Sequence, residues 1–221
     1  MKPVRRIVLA SAAALAVAVV SGCGVQAGSA AVVGSTRISD SDVAAMVDEL
    51  KQTIAADPTA LFDSTKATAA NVQRLTRHYL LDEAAAREGV VVTQAQVDQL
   101  ISSTTTSTFG GDSTKFEQAL ASQYAVPPSQ IPSFAHDVLE SQALTAKLAP
   151  GADATTQQNK LNAYLAPLGQ ELGIEVSPRY GTWSFDTSTL AATPDDLSFV
   201  PSATPSAEPG SPSASPSPSA S

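Results

Sequence analysis

The sequence predicts a mainly α-helical domain of about six helices, with a small two-stranded β element pairing the N- and C-terminal ends of the domain. Two observations carry this reading. Apolar residues recur at helical spacing between Val43 and Leu172. Short β-prone runs, Ala30–Val33 and Ile174–Val176, stand at the extremes of that stretch. Two such strands are marginal alone and become reasonable when paired with each other and covered by helices.

In chain order, Ala30–Val33 is broken by Gly34 and followed by Ile38, which reads as a strand and turn. Ser39, with Asp42 three residues on, supplies a helix start; Val43, Met46, Val47, Leu50 and Ile54 follow at helical spacing until Asp57-Pro58 stops them. A longer helix is predicted from about Thr65 to Glu88. Val72, Leu75, Tyr79 and Leu80 form its apolar face, small residues Ala84–Ala86 allow close approach near its end, and Gly89 terminates it.

Val90–Val92 is strand-like in propensity but leads into Thr93-Gln94-Ala95-Gln96, a capping box, so the valines are predicted to be a connector. A short third helix passes through Val97, Leu100 and Ile101 before Ser102–Thr108, a poor helix former, and the Gly110-Gly111 loop. The fourth holds Phe116, Leu120 and Tyr124 and stops before Pro127-Pro128. The fifth spans about Ser129–Leu148, with Pro132 tolerated in its first turn. The sixth, about Thr155–Leu172, has the cleanest stripe (Leu161, Tyr164, Leu165, Leu168, Leu172), and Pro167 is expected to kink or divide it.

The segments flanking this domain have a different character. Met1–Arg6 is short and basic, and Ile7–Val20 is an apolar run of about 14 residues, the pattern of an export signal and too short for a spanning helix. Val20-Ser21-Gly22-Cys23 resembles a lipobox, which implies removal of residues 1–22 and lipidation of Cys23. A diacylated cysteine supplies the hydrophobic anchoring that one chain alone does not. Residues 23–29 are then a short linker, 30–190 the helical domain, and 191–221 a disordered tail rich in Pro, Ser and Ala.

Cys23 is the single cysteine, so disulfides are excluded once it is acylated, although the compartment permits them. Loss of Lys2, Arg5 and Arg6 leaves ten basic against 21 acidic residues, a formal charge of −11. That surface does not suit nucleic acid.

The pieces Ala31-Val32-Val33-Gly34 through Ile38-Ser39, Glu83–Gly89, Val92–Val97 and Val176–Trp183 stand in a recognisable order. Together with the lipobox they resemble the N-terminal domain of the SurA and PrsA type of extracytoplasmic chaperones, in the lipoprotein variety of actinobacteria. The resemblance spans about Ala30 to Phe185. It implies a chaperone-like protein on the extracytoplasmic face of the cell membrane, with secreted polypeptides or an envelope protein as partners. One departure matters. Relatives carry a parvulin-type isomerase domain between the last two helical segments, and here only Ala149–Ala154 separates Leu148 from Thr155. Isomerase activity is therefore expected to be absent, leaving a groove that holds unfolded chain.

The inventory for chemistry is thin. His78 and His136 are read as surface or boundary residues, because adjacent helical residues such as His136 and Asp137 do not face each other. No pair of histidines at helical spacing, cysteine pair, nucleophile elbow or phosphate-binding loop is present, so no catalytic residue, metal or cofactor is predicted. Phe109, Phe116, Tyr124 and Phe134 are candidates either for a polypeptide-binding groove or for the core. Arg179, Tyr180 and Trp183 form a second candidate cluster, structural or binding, in which Arg179 is expected to pair with an acid of the first helix such as Asp42 or Glu49. Two functions remain open: a chaperone for many secreted clients, or a non-catalytic adaptor docking one partner.

Overall fold

The first strand is buried along almost its whole length, at Ser29, Ala30, Ala31 and Val33, so it lies at the centre of the sheet on which the helices assemble. The computed structural model describes residues 27–56 and 60–191. The expected signal, Cys23, Pro58 and the tail beyond Ala191 lie outside the described residues.

Strand β1 (Ser29–Val33) turns through Gly34-Ser35 into β2 (Thr36–Ser39), pairing Val33 with Thr36. Gly34 takes a φ of 58°, the conformation such a two-residue hairpin needs. Six helices follow: α1 (Asp40–Ile54), α2 (Ser64–Glu88), α3 (Gln94–Phe109), α4 (Ser113–Tyr124), α5 (Ile131–Leu148) and α6 (Ala154–Glu171). The chain closes with β3 (Glu175–Val176), β4 (Thr182–Ser184) and β5 (Thr189–Ala191). Among the described residues the fold is mainly α, with six α-helices, as the periodicity predicts.

The predicted pairing of the domain ends is present and larger than expected. β3 lies antiparallel to β1, with Ala31 opposite Val176, and β2 adds a third strand in the order β2-β1-β3. The β4–β5 hairpin was not anticipated; it seats Trp183 opposite Leu190. Leu190 packs with Ala30, Val72 and Leu75, so both ends of the described chain converge on one hydrophobic cluster.

Local signals set the helix ends. Ser39 and Asp63 cap α1 and α2, and Thr93 with Gln96 forms the expected reciprocal capping box of α3. α3 does not stop at Ser102. It continues to Phe109, with Thr105 Oγ1 bonding back to the Ile101 carbonyl at 2.8 Å and the helix packing on α4 and α5. Tertiary packing here outweighs the weak propensity of Ser and Thr. Pro167 likewise does not divide α6, where Leu161, Leu165 and Leu168 are buried on both sides of the proline. α2 is the central element, touching α1, α5, α6, β1 and β5. The largest core cluster joins its Leu80, Leu81 and Ala84 to Leu144 of α5, Leu161 and Leu165 of α6, and Trp183. α5 and α6 are joined by Ala149–Asp153 alone.

Candidate functional site

An open apolar groove of about 630 Å³ runs between α1, the start of α2 and the end of α4. Leu50 and Ile54 form one wall, Ala67 and Ala121 the floor, and Leu61, Phe62 and Tyr124 the mouth. Leu61 is 98% exposed and Tyr124 58% exposed, and they stand with Ile54 and Phe62 on one groove, so together they make an exposed apolar patch. The rim is polar, with Asp63 and Lys66 paired at 3.6 Å. That combination of apolar floor and charged rim is the character of a binding surface.

The walls are tied together by side chains that bond across them. Asn71, fully buried on α2, donates to the Ala67 carbonyl at 2.8 Å and to the Ala125 carbonyl at 3.3 Å. Ala125 caps α4 with a φ of 52°, so this bond anchors a turn that has left the helical conformation. Glu49 of α1 accepts from the Ser129 backbone N–H at 2.8 Å and from its hydroxyl at 2.5 Å. α1 and the turn after α4 are thereby held at a fixed separation, and the groove between them stays open.

The four aromatic candidates fall into two ring pairs. Phe109 and Phe116 meet edge to face at 5.5 Å between centroids, and Tyr124 meets Phe134 at 5.9 Å. Phe116 is buried with Val126 and Ile131, and Phe109 and Phe134 pack partly exposed against that cluster. A second, smaller apolar cleft of about 150 Å³ opens there between α3, α4 and α5, lined by Ile101, Phe116, Leu120 and Phe134. Tyr124 alone of the four lines the larger groove. Leu61 and Phe62 were passed over in the sequence, although an adjacent apolar pair in a loop just past a Pro break is a readable signal.

Arg179 and Tyr180 converge on one acid, while Trp183 points away into the core, 7% exposed. The acid is Asp40, the first residue of α1, and neither Asp42 nor Glu49 as expected. Asp40 sits at the helix N-terminus beside the closing segment, whereas Glu49 is engaged by Ser129. The Arg179 guanidinium lies 4.6 Å from the Tyr180 ring centroid and holds the Asp40 carboxyl below its ordinary value.

A polar cluster interrupts the apolar contact between α2 and α5. His78 Nδ1 bonds Asp137 at 2.5 Å, and its Nε2 lies 3.5 Å from Asp82. The Asp137 bond raises the His78 pKa. His136 lies 3.9 Å from Asp82 and 3.7 Å from Glu140. Burial, then the Asp82 charge beside it, pushes Glu140 up to about 7. His78 with Asp82 and His136 with Glu140 form two i, i+4 pairs on facing helices, a spacing visible in the sequence, although only the packed helices show that the two pairs meet.

With the helical architecture in view, a family model described as the SurA-like N-terminal domain matches residues 3–144. The chain belongs to that family. It is a chaperone-like family, and the match covers the segment from before β1 to within α5. α6 and Val176–Trp183, one of the four pieces that carry the resemblance in the sequence, lie beyond the match. No curated protein and no solved structure matches the chain.

Proposed function

We propose that this SurA-like protein is a membrane-anchored chaperone that holds unfolded or partly folded secreted polypeptides in the groove between α1, α2 and α4. The observation that carries the reading is the exposure of Leu61 and Tyr124 at the mouth of that groove. A surface that accepts varied sequences offers apolar area with freedom to adapt, and side chains at a loop and at a helix end provide it. Family membership supports the same reading. Holding requires no chemistry, and the short α5–α6 connection accords with a role without isomerase activity.

In this proposal Cys23 carries the lipid and keeps the domain at the outer face of the cell membrane. Five residues lie between Cys23 and Ser29 at the start of β1, a reach of about 20 Å at full extension. The domain then works close to the bilayer, where secreted chains emerge.

The test is photocrosslinking in the living envelope from positions Leu61 and Tyr124, with Phe116 as the buried control. Phe109 and Phe134 report separately on the smaller cleft. Capture of many unrelated secreted proteins at Leu61 and Tyr124, and none at Phe116, is the expected result. One recurring partner at the same positions would make the protein an adaptor, and capture of nothing would remove the groove from its function.

A further inference from the structure

The contact between α2 and α5 contains a feature that polypeptide holding does not use. His78 and Asp82 lie one turn apart on α2, and His136 and Glu140 one turn apart on α5. Four-residue spacing places each pair on one helix face, and the packing of the two helices brings the faces together. The ligand-capable atoms of Asp82, His136 and Glu140 all lie within 4.8 Å of one another. Asp82 Oδ1, His136 Nδ1 and Glu140 Oε2 are each buried and have no hydrogen-bond partner among the described residues.

Buried polar atoms are nearly always paired, and three orphans facing one another call for a common partner. A proton shared between Asp82 and Glu140 answers only the two carboxylates. His136 Nδ1, at 3.9 and 3.7 Å from them, is too far for a hydrogen bond to either. A cation between the three satisfies all of them. Zinc bonds of about 2.0–2.2 Å set tetrahedral ligand atoms roughly 3.4 Å apart, so His136 Nδ1, at 3.9 and 3.7 Å from the two carboxylates, needs to close by only a few tenths of an ångström, and the three ligand atoms already lie within 4.8 Å of one another.

We propose that Asp82, His136 and Glu140 bind a divalent transition-metal cation of the zinc class, which clamps α2 to α5 and retains one position for water. One imidazole nitrogen with two carboxylate oxygens suits such a cation better than calcium or magnesium, which prefer oxygen alone. Glu140, its side chain 6% exposed, forms the floor, and the half-exposed Asp82 and His136 leave a path from solvent. His78 is a positioning residue. Its Nδ1 is held by Asp137 and its Nε2 faces Asp82 Oδ2, so the Asp137–His78–Asp82 chain orients the ligand carboxylate. In a chain whose single cysteine leaves no disulfide, a metal supplies the covalent-like cross-link between helices that a disulfide would otherwise give.

The experiment treats the unacylated chain from Cys23 to Ser221 with chelator, then adds Zn²⁺ or Co²⁺. One equivalent is expected to bind, and the melting temperature is expected to rise with free Zn²⁺. The Co²⁺ complex should show visible ligand-field bands without the near-ultraviolet sulfur band that coordination by Cys23 produces. Glu140→Gln and His136→Gln should each weaken Zn²⁺ by at least tenfold, and His78→Gln by less. Each variant is read as its own difference with and without metal, so a change in its metal-free stability does not intrude. Asp82→Asn, at the more exposed ligand, provides the same comparison if a deeper substitution prevents folding. No Zn²⁺-dependent shift in the wild-type chain, a sulfur band with Co²⁺, or an unchanged shift in Asp82→Asn would overturn the site.

Discussion

Tyr180 donates its hydroxyl to Asp40 at 2.9 Å, joining residues 140 positions apart and locking the closing segment onto the first turn of α1. Arg179 pairs with the other carboxylate oxygen. The acid also stands where the α1 dipole favours negative charge.

This pairing makes the domain acid-sensitive in a defined window. The Arg179 hydrogen bond depresses the folded pKa of Asp40, so the folded state binds its proton less readily than the unfolded state. The stabilisation is fully present above the unfolded value of about 3.9 and is lost as pH falls through the lower folded value. Asp40→Asn should therefore be less stable than wild type at pH 7, with the difference shrinking below about pH 4 as the wild-type carboxyl protonates. Tyr180→Phe should cost about 1 kcal/mol at pH 7. Urea unfolding across pH checks both; a pH-independent difference for Asp40→Asn would show that the charge is not what matters.

Gly181 should be intolerant of any side chain. Its φ is 132°, and a Cβ there would run into the Ala191 carbonyl oxygen and come within 3.2 Å of Leu190 Cγ. Gly181→Ala is expected to cost about 3 kcal/mol by forcing β4 and β5 apart. Gly111→Ala, at a φ of 86° with nothing within 4 Å, should cost only the backbone strain, about 1 kcal/mol. Denaturant midpoints for the two variants give the comparison directly.

Phe116 and Tyr124 should separate stability from binding. Phe116→Ala empties a buried site next to Val126 and Ile131 and should destabilise by about 3–5 kcal/mol. Tyr124→Ala, at an exposed position, should change stability by less than about 1 kcal/mol while reducing client capture at the groove. Thermal melts paired with crosslinking yields would decide it. A Tyr124 variant that melts early and captures normally would contradict this assignment.

Thr93→Ala removes the side chain that accepts from the Gln96 N–H and should cost about 1 kcal/mol. Hydrogen exchange should localise the loss to the first turn of α3, with amides of α5 unaffected.

What was legible in the sequence was what neighbouring residues decide together. Thr93 and Gln96 lie within one turn, so their reciprocal bonding follows from spacing alone. The stripe Leu161, Leu165, Leu168 declares a buried face wherever the partner helix stands. Two β-prone runs at the ends of a helical stretch suffice to predict that the ends pair, because so short a strand is marginal unless it joins a sheet; the register, Ala31 opposite Val176, and the third strand β2 came from the structure. Of the aromatic set, only residue types were readable; Phe116 and Tyr124 differ in exposure because of where α4 sits against α5 and α1, which no local pattern encodes.

By itself the sequence determined the helical class, the approximate helix boundaries other than the end of α3, the meeting of the two ends and membership of the SurA-like family. Tertiary structure alone decided that α3 would run through its Ser and Thr, that Arg179 would choose Asp40 over Asp42 and Glu49, and that His78 and Asp82 would face His136 and Glu140. The physical reason is range. Caps, turns and periodic stripes are settled by bonds within one or two turns, whereas an ion pair or a cation site depends on which helix faces meet, and that is a property of the packed core as a whole.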